Sequence, residues 1–492
     1  MNSNSNRYDA IIIGSGLAGL TSAALLSQSG FRVLVLEQHY FIGGCAHTFK
    51  RANYIFDTAI HVIGGGEQGG EINNLYKKLD LLDKIEFTRI DPMITLQMDG
   101  LSYPIPAELD ILNNRLEEWF PEEALSIRKV INEIKYIGGL KGNYEIEDLK
   151  KIIVLEKTSY KDYLDINFKH PQIKLLLSSL VLFAGSPIDK LSTFKMMNIM
   201  ASYNGGAFYP KGNSQQLSNV LKAYILEKGG KVIVNRKVEQ ILYNGSTIEG
   251  VVDQRGNHYS SNRIISNADI KTTFTQMLDE NHLPKNFKKR LESLKNSYSA
   301  VILYGVIKNE DWTSNPFPHE TVFLSEENLE KEENFCFDPL APNNDPVISI
   351  CCPSVSEPSL APEGYSIINI MSLCNSIHIE TIRDERGKEF IFENYLELLE
   401  KKVPGLKGKL VFYEFATPRT INKFTLNNSG SIYGWMKSVN RLGIDAFGPE
   451  TPIKGLYLAG HWAEGAHGVY GVVRSGRVTA EKIIENSQLH TV

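Results

Sequence analysis

A chain of 492 residues can bury a large core and has room for two or three domains. Its 42% hydrophobic and 22% charged content is ordinary for a globular protein, and a net charge of −5 argues against a nucleic-acid partner, which would show a basic stripe. The five cysteines (Cys45, Cys336, Cys351, Cys352, Cys374) include no CxxC pair, which excludes a disulfide framework or zinc ribbon and suits a reducing cytosol.

The start "MNSNSN" is polar and the apolar run after it is short, so neither a signal peptide nor a membrane span is read there. Residues 7–37, "RYDAIIIGSGLAGLTSAALLSQSGFRVLVLE", carry the strongest pattern. A short apolar strand at 10–13 leads into Gly14, Gly16 and Gly19 in G-x-G-x-x-G spacing, then a helix from 17 to 29 and a second strand at 31–36 that ends on Glu37. Gly14 allows the tight turn, Gly16 lets a pyrophosphate approach the backbone, and Gly19 lets helix and strand pack closely. The phosphates would lie on the free N–H groups and positive dipole end of the helix, and Glu37 would accept the hydroxyls of an adenosine ribose. Strand, glycines, helix, strand and acid in that order predict a dinucleotide site. A nicotinamide enzyme would continue its alternating βα pattern, whereas this chain runs into "EQHYFIGGCAHTF". The Gly43-Gly44 pair lets the backbone pass close to a long cofactor, as in glutathione-reductase-like FAD enzymes.

"GGCAHTF" followed by "FDTAIHVIG" resembles the phytoene desaturase, carotenoid isomerase and retinol saturase family of FAD-dependent oxidoreductases, within the amine-oxidase-like flavoproteins. The resemblance implies an α/β fold: a glutathione-reductase-like Rossmann FAD-binding domain interleaved with a mixed-sheet plus helical substrate domain. The expected division is 1–90, 205–290 and 405–492 for the FAD-binding domain, and 91–204 with 291–404 for the substrate or lid domain.

Farther along, "PMITLQMDGLSYPI" reads as a hairpin turning at Asp99-Gly100, followed by helical patterns over 122–140 and 191–203. The apolar run at 173–187 is too short to span a bilayer and reads as a buried core helix, with a membrane-dipping or substrate-tunnel helix the alternative. Gly212-Asn213-Ser214 are expected to cap a helix over 215–227, with a strand at 231–234. In the resembling enzymes the matching strand passes the adenine, which places Val238 there, and "RIISNADI" brings Asn267 near the cofactor. The charge run in "SEENLEKEENFCFDPLAPNNDP" reads as a solvated excursion. Finally, "TPIKGLYLAGHWAEGAHGVYGVVRSGRVTAEKIIE" gives a strand at 455–459, a turn at Gly460 and a helix over 468–485. In the family this helix starts beneath the flavin ring, and its N–H groups meet the pyrimidine end.

The resemblance thus assigns cofactor contacts to Gly14, Ser15, Gly16, Leu17, Ala18, Gly19, Glu37, Gln38, Gly43, Gly44, Ala59, His61, Val238, Asn267, Gly460, His461, Gly468, Gly471, Val472 and Val473. At His461 the family usually has an acid. Candidate catalytic groups are His61, His467 and Tyr470, with Glu464 beside them. Tyr433, Trp435 and Trp462 are candidates for an aromatic substrate wall, with core packing the alternative. Cys45, His47 and His61 are irregularly spaced, and no metal is expected there. The expected cofactor is FAD, bound non-covalently.

The implied activity is desaturation, saturation or cis–trans isomerisation of C=C bonds in a hydrophobic polyene or isoprenoid. The alternatives are oxidation of an amine or secondary-metabolite intermediate, and a non-catalytic prenyl-lipid carrier of GDI-like fold. The electron donor or acceptor is not legible. The expected location is cytoplasmic, with peripheral contact at the inner face of a membrane where such lipids reside.

Overall fold

The computed structural model describes residues 6–140, 144–309, 317–341, 344–376, 385–439, 447–463 and 468–488. Its cofactor-type half is a five-stranded parallel sheet in the order Leu456–Leu458, Ile264–Ser266, Ala10–Ile13, Val33–Leu36, Lys231–Ile233. Every residue of Ala10–Ile13 and Val33–Leu36 is buried, which explains their unbroken apolar runs. Helix Leu17–Gln28 follows the glycine turn and packs against the C-terminal helix Gly468–Gln488. Small residues permit that approach: Ser22 Oγ donates to the Gly476 carbonyl at 2.8 Å, and a Cβ on Gly476 would lie 2.3 Å from the Ala18 carbonyl oxygen.

The second sheet has seven strands in the order Leu410–Ala416, Ser299–Lys308, Tyr365–Cys374, Ile348–Cys351, Glu320–Phe323, Ile94–Met98, Leu101–Ile105. Its pairings are antiparallel except that Glu320–Phe323 runs parallel to Ile94–Met98. The hairpin turns at Asp99 (φ 51°) and Gly100 (φ 76°), the residue types that accept positive φ most readily. A single hydrophobic cluster joins this sheet, through Ile94, Leu96, Ile302 and Ile367, to the helical layer, through Ile131, Ile134, Leu176 and Met196.

Four local expectations change. Strand Leu410–Ala416 pairs with Ser299–Lys308 in the second sheet, although 405–492 was read with the cofactor domain. The run at 173–187 forms two short helices, Pro171–Leu177 and Val181–Ala184, because Ser178 caps the first and Gly185 ends the second in the left-handed region. Helix Gln215–Glu227 is present, but Ser214 does not cap it: its hydroxyl goes to Asp57 and the Ala46 carbonyl, while Asn213 Oδ1 accepts from the Gln215 N–H. The charged excursion is no simple solvated loop, since it buries Leu329, Phe335, Cys336 and Phe337.

Candidate active site

A cavity of about 1040 Å³ begins at the glycine turn and extends into an arm between helices Ile146–Lys157 and Thr193–Ser202. At its first end, Gly16 stands before helix Leu17–Gln28 with no side-chain cap, so the helix's leading N–H groups, at Leu17 and Ala18 on the cavity wall, are left for an anion. Gly43 crosses this turn, its N–H donating to the Ser15 carbonyl at 3.0 Å. A Cβ on Gly44 would lie 3.0 Å from Gly16 Cα, and one on Gly19 would lie 2.3 Å from the Gly14 carbonyl oxygen. Glu37 is held on the wall by Ser15, whose N–H and Oγ both donate to Oε2 at 2.7 Å, and by the His39 N–H, which donates to Oε1 at 2.8 Å. Gln38 and Val238 line the same end.

Asn267, also on the wall, ties strand ends together: its Oδ1 accepts from the Gly19 N–H at 3.0 Å and its Nδ2 donates to the Ala459 carbonyl at 3.2 Å. The opposite wall comes from the start of helix Gly468–Gln488, with Gly468, Tyr470, Gly471 and Val472 facing the cavity. Ala59 and His461 complete this middle section. This cradle of side-chain-free backbone, uncapped helix end and acid fits the pyrophosphate and ribose of a dinucleotide.

Some sequence-predicted residues stand behind the wall. Ser15 is buried and orients Glu37, Gly19 serves helix–strand packing, and the Gly460 N–H donates to Ser475 Oγ at 3.1 Å. Val473 points into the hydrophobic core because its neighbours Gly471 and Val472 take the cavity face. Tyr433 lines the cavity, but Trp435 and Trp462 do not. They stack edge to face at 4.9 Å, Trp435 Nε1 donates to the Trp462 carbonyl, and both pack in an apolar cluster. Core packing therefore accounts for these two, in place of a substrate wall. His467 and Glu464 lie outside the described residues.

His61 lies on the cavity wall with partners that the local sequence gave no sign of. Its Nδ1 is 3.0 Å from one oxygen of Glu320 and 3.3 Å from the other, and Ser349 Oγ donates to that second oxygen. Burial alone would oppose the imidazolium, but the Glu320 carboxylate outweighs it and holds the His61 pKa above its ordinary value. Burial likewise opposes the Glu320 charge, and His61 overcomes it, keeping that carboxyl below the usual range. The two form a buried ion pair. Nε2 of His61 has no protein partner among the described residues. His319 Nε2 donates to the His61 carbonyl at 2.8 Å and fixes the backbone there. Just before it, buried Asp57 ends strand Tyr54–Asp57 and accepts from Tyr209 Oη and from the Ser214 N–H and Oγ, locking the return loop.

Glu320 and Ser349 lie 259 and 288 residues from His61 in sequence, on two paired strands of the second sheet, so only the fold brings them together. Cys351, on the Ser349 strand, completes the one group of metal-type donors among the described residues, with ligand atoms within 4.8 Å of one another. Burial and Glu320 hold its thiol well above the ordinary value, and the Glu320 carboxylate is engaged by His61 and Ser349. The set is a hydrogen-bonded network, not the Cys45, His47, His61 grouping weighed from sequence. Burial raises the Cys45 thiol to about 11, which leaves it protonated at neutral pH.

The arm of the cavity is apolar along Leu149, Ile152 and Ile153 of one helix and Phe194 and Ile199 of the other. It ends in charge: Lys195 Nζ lies 2.9 Å from Glu156 Oε1, Ser192 Oγ donates to Glu156 Oε2 at 2.8 Å, and Lys437 adjoins them. Burial and Lys195 push Lys437 down to about 7, against the pull of Glu156. His461 is pushed down to about 4 by burial and by Lys437, so its imidazole is neutral.

The parallel sheet, glycine turn and terminal acid define a protein of the dinucleotide-binding class, with an apolar arm continuing the same cavity. The profile of the flavin containing amine oxidoreductase family matches residues 17–484, and the chain belongs to that family. It is a flavin-dependent oxidoreductase. Over 519 residues it is 28% identical to prolycopene isomerase 2, chloroplastic, of an Oncidium hybrid cultivar, covering 97% of this chain and 84% of that protein. It is also 28% identical, over 549 residues, to all-trans-retinol 13,14-reductase of Danio rerio, covering 98% and 86%. Among solved structures, putrescine oxidase bound to putrescine superposes with a TM-score of 0.69 at 15% identity, covering 97% of this chain and 99% of that one, which shows a shared fold. Among the described residues, no helix is long and apolar enough to cross a membrane.

Proposed function

We propose that this chain is an FAD-dependent enzyme that saturates, desaturates or isomerises C=C bonds of a hydrophobic polyene or isoprenoid-like substrate, with the FAD held non-covalently. The observation that carries this reading is the cavity, which joins a dinucleotide cradle to an apolar arm in one continuous space. The names of the similar isomerase and reductase point to the same substrate class. When bound, FAD supplies hydride transfer at its N5.

The chain's own residues bind, orient and manage protons. Gly14, Gly16, Leu17, Ala18, Gly43 and Gly44 would receive the pyrophosphate, with Glu37 and Gln38 toward the ribose, while Val238 and Asn267 flank them. Gly471 and Val472, at the uncharged start of the C-terminal helix, would stabilise negative charge on the ring. Glu320 holds the proton at His61 Nδ1, so the imidazolium presents Nε2–H to the cavity as a donor. Tyr470 adds a phenol to the cavity wall, its pKa raised chiefly by burial.

Amine oxidation is the less supported reading, because the relatives similar over nearly the whole chain are named for carotenoid and retinoid chemistry, whereas the putrescine oxidase likeness, at 15% identity, speaks to the fold alone. Helix Ile146–Lys157 leaves Ile146, Leu149, Ile153 and Val154 exposed, and Leu149 and Ile153 also line the cavity, which supports peripheral contact with a membrane at its mouth. The test is anaerobic titration of FAD-loaded protein with polyenes and, separately, amines, following flavin absorbance and polyene products. A change with polyenes supports the proposal; bleaching by amines alone, or protein that cannot be loaded with FAD, overturns it.

A further inference from the structure

One carboxylate interrupts the apolar arm. Helix Ile146–Lys157 presents Leu149, Ile152, Ile153 and then Glu156 to the cavity, at i, i+3, i+4 and i+7, so a face that is apolar for two turns ends on an acid. Glu156 is 1% exposed. A carboxylate taken out of water is stabilised only as far as its oxygens find donors. Oε2 has one, the Ser192 hydroxyl at 2.8 Å. Oε1 has no hydrogen-bond donor among the described residues. Lys195 Nζ stands 2.9 Å from it as an ion-pair partner, but the approach is too oblique for a hydrogen bond. Glu156 and Lys195 both line the cavity. The missing donor to Oε1 must therefore come from what the cavity holds.

The chemistry of the pair separates the end groups that a long apolar molecule could bring there. A hydrocarbon end would exclude the water that can serve Oε1 and leave a buried acceptor bare, which is costly. A carboxylate could accept from Lys195, but it has no hydrogen to give Oε1 and is repelled by Glu156. A hydroxyl satisfies both partners: its O–H donates to Glu156 Oε1 while its oxygen accepts from Lys195 Nζ.

We propose that Glu156 and Lys195 form an end-group site for a hydroxyl at the terminus of an otherwise apolar polyene. The site rests on the proposed polyene function of the same cavity and adds the chemistry of the substrate's end. Leu149, Ile152 and Ile153 receive the chain, and Ser192 holds the carboxylate from its other oxygen. Anchoring the hydroxyl threads the substrate in one direction, which decides which of its double bonds lies beside His61 and the cofactor cradle.

The test is equilibrium binding to FAD-loaded protein of three probes: all-trans-retinol, its methyl ether, and the hydrocarbon in which hydrogen replaces the hydroxyl. The alcohol should bind about tenfold more tightly than the ether, which accepts a hydrogen bond but gives none. Glu156→Met should bring the alcohol down to the level of the ether. Lys195→Met should bring the ether down to the level of the hydrocarbon, because the ammonium is the donor to its oxygen. Retained FAD reports that each variant is folded, and Lys195→Met decides the matter alone if Glu156→Met loses its FAD. Equal binding of alcohol and ether, an alcohol preference that survives Glu156→Met, or an ether advantage that survives Lys195→Met overturns the end-group site while leaving the polyene function standing. If none of the three probes binds, the polyene function falls and the end-group site with it.

Discussion

Glu320 and His61 keep their charges chiefly through each other, because both are buried and burial opposes each of them. The His61 pKa is raised, so its contribution to stability is full below about 6.5, the unfolded value, and is lost as pH rises through the folded value. The Glu320 pKa is lowered, so its contribution is present above about 4.3 and is lost as pH falls through its folded value. Removing one partner should cost about 3 kcal/mol. Glu320→Gln is therefore expected to lower the unfolding free energy by that amount, seen as a lower urea midpoint, and an unchanged midpoint would refute the pair. The same variant tests the chemistry. If His61 acts as the protonated donor, the activity of the native protein declines as pH rises through the raised pKa, and Glu320→Gln moves that decline to lower pH. A pH profile unmoved by the substitution would remove His61 from the reaction. Gly19 gives a second local test. A Cβ there would lie 2.3 Å from the Gly14 carbonyl oxygen, so Gly19→Ala should destabilise the protein by roughly 1–3 kcal/mol and reduce retained flavin. A variant with native melting and full flavin content would contradict that packing.

Helix Ile146–Lys157 works on two faces. Leu149, Ile152, Ile153 and Glu156 line the cavity, Leu149 and Ile153 being open to solvent as well, and Ile146 and Val154 stand exposed without lining it. Such residues cost little in water singly, but grouped at the mouth of an apolar cavity they suit the boundary of a bilayer, where a polyene would be dissolved. The chain should cosediment with lipid vesicles, and the double variant Ile146→Ser, Val154→Ser should weaken this with flavin content unchanged. Equal sedimentation of both proteins would place the contact elsewhere. The C-terminal helix Gly468–Gln488 is anchored differently: Arg477 pairs with Glu71 at 2.5 Å and with Glu481 at 2.7 Å, and Gly476 seats against Ala18. Those contacts hold the first turn, with Gly471 and Val472, at the cavity wall.

Across the whole molecule, local pattern revealed the cofactor cradle and long-range geometry hid the rest. Strand Ala10–Ile13, helix Leu17–Gln28 and Glu37 were legible because tight turns, helix starts and strand ends each demand particular residues in order. The His61 network was not, since Glu320 and Ser349 sit in apolar strands that look like ordinary sheet until the seven-stranded topology pairs them. Lys437 escaped for the same reason, its neighbours Glu156 and Lys195 lying on separate helices. Trp435 and Trp462 misled because an aromatic residue near a cofactor motif packs as readily into core as onto a wall. The central claim is that a flavin and a polyene meet in one cavity. The most direct test is chromatographic and mass analysis of a polyene incubated anaerobically with the FAD-loaded protein, its flavin reduced or oxidised. The structure predicts a product altered at a C=C bond, by a hydrogen pair gained or lost or by geometry alone, and lost in His61→Gln. Unaltered polyene in both flavin states, from protein that retains its FAD, would contradict it.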